Sequence, residues 1–247
     1  MPSCATGHPS RPCRADVQLP TGSRSDLGDE VVERPVSASD VVYHGLVWDV
    51  RRDSVDLGDA GPVMREYVEH PGAVVVVALK DVGGLDHVVL IRQYRHPVRT
   101  TEWELPAGLL DVAGEPPWEA AARELLEEVD LVAARWHVLL DFYSSPGGLS
   151  EVMRVFVARD VKEVSATQRF SREGEEAEIR GLWVSLDDAY AAVLAGEVHN
   201  PGAVVGILAA WGAKQSDWTT LRPKDEPWTW HPAYRSAVQR PGPATDA

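Results

Sequence analysis

The chain has 247 residues and a formal net charge of −14 at pH 7, enough for one sizeable core but not two, and too acidic for general attraction to a nucleic-acid backbone. Hydrophobic residues make up 44%, ordinary for a globular protein, and no apolar run reaches transmembrane length. The two cysteines, Cys4 and Cys13, set no metal-ligand or disulfide spacing, and the N-terminus lacks the apolar core of a secretory signal, so the expected compartment is the cytoplasm.

Residues 1–38 are rich in Pro, Ser, Gly, Arg and Asp without periodicity and read as a disordered tail. Residues 39–70 read as a β-hairpin subdomain. One strand spans 41–52, Gly58–Pro62 supplies the turn, and 63–70 returns. A lone hairpin is marginal in water, so this one is expected to pack on the main domain or on a second subunit. Trp48 on it is either a core residue of the hairpin or a flat face for a planar ligand.

Residues 71–213 carry the main domain. Pro71-Gly72 breaks the chain, and Ala73-Val-Val-Val-Val-Ala-Leu79 is a continuous apolar run of the kind a doubly covered strand shows. Further strands are predicted over 87–95, 101–105, 136–143, 152–158 and 182–186. The stretch 161–180 reads as loop and holds an acidic cluster, Glu173-Gly-Glu-Glu-Ala-Glu178. Ser185 or Asp187 caps one helix. Asn200 caps another, from Pro201 to about Ala213, whose apolar residues surround it and bury it. Residues 214–247 read as a tail, with Trp218, Trp228 and Trp230 among prolines and charges, wrapped on the surface or partly unordered.

The chain is organised around residues 102–131, which read as strand, loop and helix. Pro116 and Pro117 suit a first helical turn, with Gly114 or Glu115 as the cap. On the wheel Trp118, Ala121, Ala122, Leu125 and Val129 share one face, and Glu124, Glu127 and Glu128 another. Alone, such a run of carboxylates marks a solvated face. Three clustered carboxylates also repel unless something cationic sits among them, and hard divalent cations take oxygen ligands.

Glu115, Arg123, Glu124, Leu125, Glu127, Glu128, Val129 and Leu131 fall at the spacing of a known signature, and the segment is similar to the box of the Nudix hydrolases. Two departures stand out. Six residues rather than five separate Gly108 from Glu115, in a loop where length costs little. Asp130 stands where the box has glycine, at a helix end expected to be left-handed. The resemblance covers about 41–213 and implies an α/β fold, a Nudix α/β/α sandwich of mixed sheets with the N-terminal β-hairpin subdomain.

The flanking run Gln93-Tyr-Arg-His96 and Glu104-Leu-Pro-Ala-Gly108 resembles the bacterial ADP-ribose pyrophosphatases. That likeness implies a homodimer with shared active sites, and metal-dependent hydrolysis of ADP-ribose to AMP and ribose 5-phosphate with Mg²⁺ or Mn²⁺. By the same resemblance Glu124, Glu128 and the Ala107 carbonyl hold metal, and Glu127 takes a further cation or orients water. Arg95 meets the substrate phosphates, and Glu176 in the acidic cluster is the base, with Glu175 and Glu178 as alternatives. Arg65, as a guanidinium on the hairpin, and Glu104, toward a ribose hydroxyl or a partner arginine, complete the substrate candidates. Two other readings stay open: a different nucleotide substrate, or a Nudix-like module that binds ADP-ribose without cleaving it. Nothing in the sequence points to a nucleic-acid or membrane partner.

Overall fold

The structure is a computed structural model and describes residues 19–172 and 179–238. The chain divides into two units, Met1–Glu33 and Arg34–Ala247. In the first, the described residues hold one 3₁₀ turn, Arg24–Asp26, closed by the Ser23 N–H on Asp26 Oδ2 at 2.7 Å. In the second, β1 (Val36–His44) begins inside the stretch expected to lack order.

With β2 (Asp49–Asp56) and β3 (Pro62–Glu69), β1 forms a three-stranded antiparallel sheet in the order β1-β2-β3. This is one strand more than the expected hairpin. The stretch 41–52, which looks continuous, is cut by a tight turn in which Gly45 N–H donates to Trp48 O at 3.0 Å. A Cβ at residue 45 would lie 2.2 Å from that carbonyl, so only glycine fits the turn.

The main sheet has eight strands. Its spine runs β10-β5-β4-β9-β8-β11, with β6 beside β5 and β7 beside β4. The strands are β4 (Ala73–Val82), β5 (Leu85–Arg95), β6 (Thr100–Glu104), β7 (Ala107–Leu109), β8 (Leu131–Tyr143), β9 (Val152–Glu163), β10 (Arg180–Ser185) and β11 (Arg222–Pro223). β4 and β9 pair in parallel while their other neighbours are antiparallel, so the sheet is mixed. β9 extends to Glu163, past the predicted start of a loop, because its pairing with β8 continues through Leu131↔Glu163.

Period-two alternation sends the apolar run of β4 into two cores. Val74, Val76 and Ala78 join Phe156 and Trp136 beneath α1 (Pro117–Val129). Val75, Val77 and Leu79 join Val155 and Val157 beneath α2 (Leu186–Leu194) and α3 (Pro201–Gln215). The fold is thus an α/β/α sandwich, with α1 on one face of the sheet and α2 and α3 on the other. Ser185 and Asn200 cap α2 and α3, accepting from Asp188 N–H and Ala203 N–H, each at 3.0 Å.

The N-cap of α1 falls one residue after Glu115, the nearer of the two predicted caps. Pro116 is the N-cap, extended at φ −63°, ψ 142°, because a residue before proline is barred from helical backbone. Its buried stripe is Ala120, Ala121 and Leu125, and Asp130 ends it left-handed at φ 56°, ψ 36°.

The C-terminal stretch is ordered through α4 (Pro232–Val238). Trp228 is 2% exposed and lies over the Arg154 guanidinium, 4.6 Å from its carbon to the ring centre. Arg154, equally buried, holds Asp141 at 2.7 and 3.1 Å and donates to Glu226 O at 2.7 Å. No helix among the described residues is long and apolar enough to cross a membrane.

Candidate active site

The carboxylates of α1 face a cleft of about 620 Å³. Its floor is β7 and the start of β4, one wall is the Glu124–Glu128 face of α1, and Arg95 and Glu104 stand at another side. Trp48 and His70 close one end, and Asn200, Pro201 and Gly202 at the N-terminus of α3 also line it. An anion there gains from the unpaired N–H groups of the helix start.

Gly108 lets helix and loop come this close. A Cβ at that position would sit 1.9 Å from Glu124 Cδ, so any side chain would drive Glu124 out of place. Glu128 is 8% exposed, and its Oε2 accepts the Ala107 N–H at 3.0 Å. That bond ties the last turn of α1 to β7, the residue expected to present a carbonyl ligand.

Arg123 supplies the local countercharge. Its Nε and Nη2 bind Glu115 at 3.1 and 3.0 Å, while Nη1 reaches Glu124 at 2.7 Å and Glu127 at 3.1 Å. The bond to Glu115 and the surrounding negative charge hold the guanidinium firmly protonated. The pairing of Glu115 with Arg123 braces the loop that leads into α1. Among the described residues, no three His, Cys, Asp or Glu side chains are gathered closely enough to hold a metal ion. Glu124 and Glu127 are instead drawn to Arg123.

Arg95 and Glu104 form a two-pronged pair at 2.8 and 2.9 Å, with Glu104 only 2% exposed. Hydrogen bonding to Glu104 raises the Arg95 pKa. The partner arginine imagined for Glu104 is therefore supplied by its own chain. Register alone does not make the pair: in the antiparallel β5–β6 ladder Arg95 lies opposite Thr100 and Glu104 opposite Ile91, so the contact depends on the long reach of the arginine side chain. Trp48 lines the cleft with one face already stacked on His70, ring centres 4.3 Å apart. Arg65 is not among the cleft residues of its own chain: it lies exposed on β3 and donates to Met64 O at 3.0 Å. Glu176, with Glu175 and Glu178, lies outside the described residues.

Sequence reasoning missed a polar cluster at the Trp48 end. His70 Nε2 is 3.2 Å from Glu151 Oε1, and its Nδ1 accepts the Gly72 N–H at 3.0 Å. Those two bonds place the ring proton on Nε2. Burial pushes the His70 pKa down, and Glu151 opposes that shift. Ser144 donates to the other Glu151 oxygen. His70 and Glu151 are 81 positions apart, and no local spacing links them.

A NUDIX domain profile matches residues 69–203. The chain is 42% identical over 191 residues to an ADP-ribose pyrophosphatase of Mycobacterium tuberculosis, covering 77% of this chain and 89% of that protein. It is 34% identical over 176 residues to an ADP-ribose pyrophosphatase of Bacillus subtilis, covering 71% and 91%. A solved structure described as an ADP compounds hydrolase superposes with a TM-score of 0.62 at 23% identity, over 77% of this chain and 98% of that one, which is a likeness of fold. The box carboxylates on α1, the mixed sheet that carries them and these matches have one reading: the chain belongs to the NUDIX family.

Proposed function

We propose that the protein hydrolyses the diphosphate of ADP-ribose to AMP and ribose 5-phosphate, in the cytoplasm, with Mg²⁺ or Mn²⁺. The observation that carries this reading is the cleft itself, where the carboxylate face of α1, the Arg95–Glu104 pair and the Trp48–His70 stack line one cavity. The names of the two relatives support the choice of substrate.

The donor set fits a hard divalent cation, being all oxygen: Glu124, Glu128 and the Ala107 carbonyl, with Glu127 beside them. A cation held there would supply charge to neutralise the diphosphate and the charge that develops as a P–O bond breaks. To hold it, Glu124 would exchange its bond to Arg123 for the cation, while Arg123 would keep Glu115 and so brace the loop. Arg95, oriented by Glu104, offers its remaining N–H groups to phosphate oxygens. The free face of Trp48 takes the adenine ring. Glu176 is assigned as the base on its sequence pattern, since the α1 carboxylates are committed to cation and Arg123.

The β1–β3 sheet supports a homodimer with shared sites. The sheet and the turn joining β1 to β2 expose Tyr43, Leu46, Val47 and Met64, with Leu46 fully exposed, and Arg65 lies on the same sheet, outside the cleft of its own chain. The test is a panel of ADP-ribose, GDP-mannose, NADH and 8-oxo-dGTP with either metal and product analysis, run beside sedimentation. AMP formed fastest from ADP-ribose by a dimer is expected. Preference for another compound replaces the substrate, and a fully active monomer removes the shared site.

A further inference from the structure

We propose that Asp130 and Arg172 form a positioning pair that the glycine of the family signature cannot supply, setting the last turn of α1 and the chain that crosses it into the geometry needed for turnover. The backbone of Asp130 is left-handed, at φ 56°, where glycine sits freely and an aspartate carries a steric cost. The side chain offsets that cost with two bonds. Oδ1 accepts the Phe170 N–H at 2.8 Å, and Oδ2 accepts Arg172 Nη2 at 2.6 Å.

Arg172 closes the arrangement by donating from Nε to Glu127 O at 2.8 Å. Its cation thus lies on an open carbonyl at the C-terminal end of the helix, where positive charge is favoured. A third tie, Val164 N–H to Asp130 O at 3.0 Å, uses the backbone alone and would survive with glycine. Replacing Asp130 by glycine therefore removes the two side-chain bonds and nothing else of the helix cap.

The pair joins two parts of the molecule that matter to the cleft. On the helix side, Glu127 and Glu128 belong to the turn it grips, and both line the cleft. On the other side, Arg172 is the last described residue before 173–178. Ile179 and Gly181, where the described chain resumes, border the same small cavity as Glu128, Asp130 and Arg172. The inference rests on reading the cleft as the hydrolytic centre, and it does not require Glu176 to be the base.

A cap role and a positioning role predict opposite results for Asp130→Gly. If Asp130 only ends the helix, glycine is at least as good, and both melting temperature and turnover hold. If the pair positions the site, the melting temperature holds while kcat falls at least tenfold and KM stays within threefold. Arg172→Ala should behave alike, and the double variant should be no slower than either single one, since each breaks the same link. Asp130→Asn, which keeps an acceptor oxygen, should recover part of the loss. Amide exchange of Phe170, followed by NMR in the full chain, should speed up at least tenfold in Asp130→Gly, whatever the substrate.

Asp130→Gly within threefold of wild-type kcat, or an unchanged Phe170 exchange rate, overturns the proposal. Glu176→Gln measured alongside separates it from the base assignment. Loss there with a normal Asp130→Gly sinks the pair and keeps the base. Loss in Asp130→Gly with a normal Glu176→Gln keeps the pair, acting through the last turn of α1. If wild type leaves ADP-ribose intact, the substrate reading fails, and the pair is judged by Phe170 exchange and by kcat on the substrate the panel finds.

Discussion

The box segment and the C-terminal segment meet at the same loop but are built in opposite ways. In the box, most ionic contacts are local: Arg123 reaches Glu115, Glu124 and Glu127, none more than eight positions away. In the C-terminal segment they are long-range. Arg222 reaches Asp141 at 3.2 Å, His231 Nε2 donates to Pro71 O at 2.8 Å, and Tyr234 donates to Glu115 O at 3.4 Å. Lys224 sits 3.4 Å over the ring centre of Trp118, at the start of α1. The box concentrates charge in a cleft, where it is useful to chemistry and costly to stability. The C-terminal segment buries aromatic surface and closes buried polar groups, which stabilises the loop without entering the cleft.

Substitution in the two segments should therefore separate activity from stability. Glu128→Gln should lower turnover by about 10²-fold or more, the scale of losing a preorganised electrostatic contact. In chelator it should melt no lower than wild type, because it relieves repulsion. Near-normal turnover at saturating Mg²⁺ would contradict the ligand assignment.

Trp228→Ala should do the reverse. Removing a buried tryptophan costs about 3–5 kcal/mol, read as a lowered denaturant midpoint, while the protein still folded keeps kcat within a few-fold. A collapse of kcat without loss of stability would place the C-terminal segment in the chemistry.

His231 makes the contrast pH-dependent. Burial lowers its pKa, with Arg154, Arg235 and His70 adding to the shift and the Pro71 carbonyl opposing it. A histidine held neutral in the fold binds more protons when unfolded, so its contribution is present above the ordinary value near 6.5 and fades as pH falls below it. Protonation also removes the Nδ1 lone pair that accepts the Ala233 N–H at 3.2 Å. His70 has the same sign and adds to the effect. His231→Asn should melt lower than wild type at pH 7.5 and lose less on going to pH 5.5. Parallel melting curves for the two proteins at both pH values would remove His231 from this role.

The smallest effect expected is for Lys224→Ala, about 0.5–1 kcal/mol for a partly exposed cation over an indole. It should leave kcat unchanged. A larger kinetic than thermal effect would show that the start of α1, rather than only its last turns, tunes the site.

Much of the centre was legible because its causes are local. The carboxylate face of α1 follows from 3.6-residue periodicity, and its left-handed end from the known behaviour of Asp in that backbone region. The continuous Val run of β4 required cover on both faces, and Asn200 before Pro201 marked the start of α3. The misreadings have physical reasons too. Gly45 in an apolar run looks like a strand residue until a Cβ there is seen to strike the Trp48 carbonyl. Trp228 among prolines and charges looks like a tail until Arg154, 74 positions earlier, is found beneath it.

By itself the sequence determined the chemistry available to this protein: which side chains share the helix face and which strand must be buried on both sides. Tertiary structure alone decided which distant groups meet. It stacked His70 on Trp48 beside Glu151, brought Arg172 to Asp130 and Glu127, and set His231 on the Pro71 carbonyl. Helical and strand periodicities are short-range steric properties of the chain. Contacts across 22 to 160 positions depend on the whole sandwich closing, and no local pattern encodes them.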